Sequence, residues 1–179
     1  MENLVKRPQV GFLEAQRLGW GRLATLSGRS RRSEFWWFML VYYIATAVVA
    51  GIVEVAAPLW VTTVLGQILS AFAFAVTVRR LHDTGRSAWW VGISWAANAF
   101  YGFYAFGSGI LAASTALNAS PSDILKLFTD PVLAISMVLY SITGIAVFIF
   151  CLLDSKPEPN KYGESPKYAS AEEESREVN

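Results

Sequence analysis

The sequence predicts an all-α fold: a polytopic integral membrane protein built as a four-transmembrane-helix antiparallel bundle. Of its 179 residues, 54% are hydrophobic and only 16% are charged, where soluble domains average about a quarter charged. Between Phe35 and Leu153 only eight side chains are acidic or basic, all at the ends of apolar runs or between them. Those runs number four, and each is long enough to cross a hydrocarbon core of about 30 Å.

The first segment, residues 1–33, is polar and basic and does not read as a signal peptide. Within it Phe12, Leu13, Leu18, Trp20, Leu23 and Leu26 alternate with Glu14, Gln16, Arg17 and Arg22 at a loosely helical spacing that Gly19 and Gly21 interrupt. It reads either as an amphipathic helix on the membrane interface or as a partly ordered lead-in.

The membrane domain, residues 34–153, divides into spans at about 35–53, 59–78, 88–112 and 131–153. Trp36, Trp37, Tyr42 and Tyr43 crowd the start of the first as an interfacial aromatic belt would, and residues 54–58 make a tight turn into the second. The second carries Gln67, Ser70 and an Ala-rich face suited to close packing. A charged stretch, Arg79 to Trp90, joins spans two and three. There the helix ends near Thr84, Gly85 supplies the left-handed position after it, and Ser87 caps the next helix. The third span is rich in Gly, Ala and aromatics and holds Asn98. In the loop that follows, Ser120, Pro121 and Asp123 stand at the N-cap, N1 and N3 positions of a short helix over 121–128. From Asp154 the chain turns to Pro, Ser, Glu and Lys, so 154–179 reads as a disordered tail.

Three stretches carry a resemblance: Gly28-Arg29-Ser30-Arg31-Arg32-Ser33-Glu34-Phe35-Trp36, the string Arg79-Arg80-Leu81-His82-Asp83-Thr84-Gly85-Arg86-Ser87-Ala88-Trp89-Trp90, and Pro157-Glu158-Pro159-Asn160-Lys161-Tyr162-Gly163. Together they resemble the signatures of the domain of unknown function 805 family, small bacterial inner-membrane proteins, over roughly Leu18 to Lys167. The resemblance implies a fold and a location and assigns no activity.

Orientation follows from the cations. Of 15 Lys and Arg residues, fourteen lie before the first span, in the central turn or in the tail, and only Lys126 lies on the other side. The positive-inside rule then puts both termini and the Arg79 to Ser87 turn in the cytoplasm of a bacterial inner membrane. With that threading Arg32, Glu34, Arg79, Arg80, His82, Asp83, Arg86 and Asn160 share one cytoplasmic area. Glu34 is expected to pair with Arg79 or Arg80, and Asp83 with another arginine or with the backbone before the tail.

No catalytic, cofactor or metal residues are assigned. His82 and Asp83 could suggest a general base with its orienting carboxylate, yet neighbours on a helix point about 100° apart. One histidine and one cysteine, Cys151, cannot assemble a metal site. A net charge of +1 argues against a nucleic-acid surface. The arginines of the turn could instead meet anionic lipid headgroups. The leading expectation is a non-enzymatic membrane protein with a cytoplasmic polar platform for a lipid or protein partner. The alternative is a small oligomeric transporter or channel using the intramembrane polar residues Gln67 and Asn98.

Overall fold

In a computed structural model the described residues are 4–170. The element order is β1 (Leu4–Lys6), α1 (Phe12–Gly21), α2 (Arg32–Ala56), α3 (Leu59–Asp83), α4 (Trp89–Gly107), α5 (Ile110–Thr115), α6 (Pro121–Thr129), α7 (Pro131–Leu152) and β2 (Tyr168–Ser170). The chain divides into two compact units, one of Met1–Tyr43, Phe72–Ala88 and Val147–Asn179, the other of Ile44–Ala71 and Trp89–Ala146.

Among the described residues three helices, α2, α3 and α7, are long and apolar enough to cross a membrane. The expected third span differs. It was expected to run unbroken over 88–112, but α4 stops at Gly107 and a separate short helix, α5, begins at Ile110. The break lies at Gly107-Ser108-Gly109, where Gly109 adopts φ +76°, a conformation that costs a side chain-bearing residue energy and glycine little. α4, with its Gly, Asn, Tyr and Trp, is not among the three.

In the first unit, α1 ends at Gly21 and docks along the first turns of α2. Phe12 meets the Trp37 ring edge-on at 5.6 Å, Trp20 meets Phe38 at 5.2 Å, and Gln16 Nε2 donates to the Trp37 carbonyl at 2.7 Å. Gly19 is the point of closest approach: a Cβ there would lie 2.1 Å from the Phe38 ring. Glycine spacing that seemed to interrupt a helix is what lets this one approach its neighbour.

The expectation of a disordered tail from Asp154 does not hold for residues 154–170. Composition missed that order because it comes from tertiary bonds. β2 pairs antiparallel with β1, Leu4 opposite Ser170 and Lys6 opposite Tyr168, and Arg7 N donates to Lys167 O at 2.9 Å. Lys167 Nζ bonds Asp154, and each group favours the other's charge: that bond holds the Asp154 carboxyl below its ordinary value and the Lys167 ammonium above its own. Glu172 to Glu174, expected to close the tail, fall outside the described residues.

In the second unit, the helix expected over 121–128 is present as α6. Ser120 Oγ accepts from Asp123 N while Asp123 reaches back to Ser120 N, a reciprocal capping box with Pro121 at its start. The hydrogen bonds from Ser120 pull the Asp123 carboxyl down to about 2. Asp130 then starts α7, its Oδ1 accepting from Val132 N and Leu133 N, each at 3.0 Å.

Candidate functional site

The end of α3 follows from Gly85. Its φ of +76° permits the six-to-one closure in which Arg86 N donates to Leu81 O at 2.8 Å while Gly85 N donates to His82 O at 3.0 Å. That closure stops the helix with Arg79, Arg80, His82 and Asp83 in its last two turns, and all four are buried. Arg79 and Arg80 head the fully buried side chains by volume. Arginine is seldom buried without partners, so each must satisfy its donors inside the protein.

Asp83 is the hub. Arg29 Nε donates to its Oδ1 at 3.1 Å and Arg80 Nη1 to its Oδ2, and Ser155 Oγ donates to Oδ2 as well. One carboxylate thus joins the segment before α2, the end of α3 and the segment after α7. The negative end of a helix dipole disfavours a carboxylate, and this one is held by two arginines, the charge-assisted arrangement that makes hydrogen bonds strong.

Each arginine also gathers backbone carbonyls. Arg80 Nε donates to Cys151 O at 3.2 Å and Nη2 to Leu153 O, satisfying carbonyls that the end of α7 would leave orphaned. Its charge sits at the negative end of that helix's dipole. Arg79 Nη1 reaches Arg22 O and Thr25 O at 2.6 and 2.5 Å, fixing the chain beyond α1. Arg29 takes Lys156 O, Glu158 O and Gly163 O at 2.5, 3.0 and 3.2 Å, fixing the tail.

Glu34 departs from expectation. No direct ion pair joins it to Arg79 or Arg80; Ser30 Oγ donates to Glu34 Oε1 at 2.8 Å and accepts from Arg79 Nε at 3.2 Å. Ser30 also donates its N–H to Arg79 O at 3.1 Å, so its hydroxyl occupies the place where the two charged groups would meet. Arg32, expected in the cluster, is exposed. Arg86 lies outside the hydrogen-bonded hub, its guanidinium 4.7 Å from the centre of the Phe150 ring, a cation–π distance.

His82 and Asp83 form no dyad. The imidazole stacks on Tyr162, 3.6 Å between centroids and 6° from parallel, and its Nδ1 lies 3.2 Å from Gly28 O. Asn160 Nδ2 donates to His82 O at 3.0 Å, and Asn160 Oδ1 accepts from Tyr162 N at 2.8 Å. The Asn160–Gly163 turn is thereby pinned on the end of α3. Of the turn arginines, Arg79 and Arg80 are at most 1% exposed and out of reach of lipid headgroups, whereas Arg86 is exposed. Sequence reasoning passed over Arg29, Ser30, Ser155 and Tyr162, although Arg29, Ser30 and Tyr162 lie inside the strings that carry the resemblance.

In the second unit Asn98 Nδ2 donates to Gln67 Oε1 at 3.4 Å, and Gln67 Nε2 packs where a Cβ on Gly102 would lie, 2.8 Å away. Trp95 Nε1 donates to Ser70 Oγ at 2.9 Å. These are contacts between α3 and α4, and the two amides share one hydrogen bond.

Apolar helices of membrane-crossing length, together with arginines that tie three polar segments at their ends, define an integral membrane protein. The chain belongs to the family described as protein of unknown function (DUF805), whose model matches residues 23–164. It is similar to the inner membrane protein YhaH of Escherichia coli K12, 42% identical over 71 residues, and equally to YhaH of Escherichia coli O157:H7. The match covers 35% of this chain and 57% of each relative. No solved structure matches the chain significantly.

Proposed function

We propose that this chain is a non-enzymatic, four-span protein of the inner membrane with both termini in the cytoplasm, and that the assembly around Asp83 is a rigid cytoplasmic platform for a lipid or protein partner. α4, with nineteen residues, is about 28 Å long at 1.5 Å per residue and counts as the fourth span. The observation that carries the reading is the way the buried charges are used. Apart from Nη2 of Arg79, which has no hydrogen-bond partner among the described residues, Arg29, Arg79, Arg80 and Asp83 spend their donors and acceptors on one another, on serines and on carbonyls of three segments. Side chains so committed hold a surface in shape and are poorly placed to move protons. α1 lies along the same platform with Leu13 80% exposed, which suits an amphipathic helix at the interface.

Transport is the competing reading, and the Gln67–Asn98 pair bears on it. An amide hydrogen-bonded to an amide on the neighbouring helix is the usual interhelical glue of membrane bundles. Vesicles reconstituted with the protein are expected to pass potassium, protons and small neutral dyes no faster than protein-free vesicles. A flux that disappears in Asn98→Leu would overturn the platform reading in favour of a polar pathway.

A further inference from the structure

A groove of about 800 Å³ opens in the first unit at the start of α2. Arg31, Arg32, Ser33 and Lys167 line one end of it, with Asp154 among them, and Trp37, Leu40 and Tyr43 line the other. Three cations against one carboxylate leave a net charge of +2. The Lys167–Asp154 pair accounts for the carboxylate. Arg31 Nη1 spends itself on the carbonyls of Arg7 and Pro8, which do not neutralise it. Among the described residues no hydrogen bond or ion pair occupies the Arg32 side chain, and the buried Ser33 Oγ has no partner. The positive end of the α2 dipole adds to the same field.

From Arg32 to Tyr43 the helix advances eleven residues, about 16 Å at 1.5 Å each. Polar and apolar ends are therefore separated along the axis of a helix able to cross the membrane, as the headgroup and chains of one lipid are. We infer that this groove seats an anionic phospholipid, its phosphate held by Arg32 and Lys167 with Ser33 Oγ as a further donor, and an acyl chain along Trp37, Leu40 and Tyr43. The inference rests on the platform reading and names its partner. It also moves the lipid site away from the sealed Arg79 and Arg80 to two cations at the groove's rim.

The test is retention of lipid by the purified full chain, counted by native mass spectrometry from detergent containing equal phosphatidylglycerol and phosphatidylcholine. Phosphatidylglycerol is expected to be retained in preference. A cation near an anionic lipid surface contributes about 1 kcal/mol, or about fivefold, so Arg32→Gln should weaken retention about fivefold and Arg32→Gln with Lys167→Gln further. Arg32 is exposed and, among the described residues, makes no hydrogen bond or ion pair, so the single variant should keep the wild-type circular dichroism and melting temperature. Tyr43→Ala should weaken retention without abolishing the headgroup preference. Equal retention of both lipids overturns the inference. Wild-type retention in Arg32→Gln also overturns it, and hands the groove to an acidic protein segment. Displacement by inorganic phosphate at concentrations comparable to the lipid would make the site one for a small anion and overturn it too. Retention in detergent is independent of solute flux, so the lipid site and the platform reading can fail separately.

Discussion

Asp83 shows why a buried charge cluster is poor evidence of net stability and yet costly to break. Bringing Asp83, Arg29 and Arg80 out of water costs several kcal/mol per ion, and their attraction does little more than offset that. Removing one member is another matter, because it strands the others. Asp83→Asn leaves Arg29 and Arg80 buried without a carboxylate and should cost about 3 kcal/mol, a fall of roughly 6–12 °C in the melting temperature of a protein this size. Adding Arg29→Ala should cost less than the two losses summed, by at least about 0.5 kcal/mol. Strictly additive losses in detergent melts would remove Asp83 from the centre. At this scale the sequence was only partly legible. Asp83 and Arg80 announce themselves as opposite charges three positions apart. Arg29 does not, because most of its partners are backbone carbonyls, and a carbonyl has no letter. Ser30 and Ser155 are missed for a related reason: a hydroxyl that mediates between charges looks like any serine at a helix end.

Helix starts and stops were easier to read, since each depends on one or two residues with few substitutes. Gly85 ends α3 through its left-handed backbone, and Ser120 with Asp123 starts α6. Where partners lie far along the chain the reading failed, as in the tail, whose polar composition conceals the order that β1, Arg29 and Asp83 impose on it. Gly19 is a third case, in which a residue that lowers helix propensity serves packing. Phe38 is fully buried and edge-on to Trp20, so its ring has nowhere to go. Gly19→Ala should therefore cost about 1–3 kcal/mol by overpacking. The loss should appear as faster hydrogen exchange at α1 amides, with those of α3 near Asp83 unchanged. Unaltered exchange in α1 would mean that the helix tolerates a wider spacing from α2 than the structure gives it.

For the molecule as a whole, the proposed threading rests on the lopsided distribution of lysine and arginine, a property of the entire chain that no single helix reveals. A reporter active only outside the cytoplasm should be active when fused after Ala119 and silent after Gly85 or Ser165. Activity at Gly85 would break the four-span topology and the platform with it. The distances along the chain in the hub have a further meaning when the protein is considered as it is made. Ser155 lies 72 residues after Asp83, and at about 5–20 residues per second that is roughly 4–14 s of synthesis. During that interval Arg79, Arg80 and Asp83 have been translated while the carbonyls of Cys151 and Leu153 and the hydroxyl of Ser155 do not yet exist. The nascent protein must keep three charges hydrated beside a helix already suited to lipid. The closing of the hub by the late segment is thus an event in time, the moment at which an inserted set of helices becomes a finished protein.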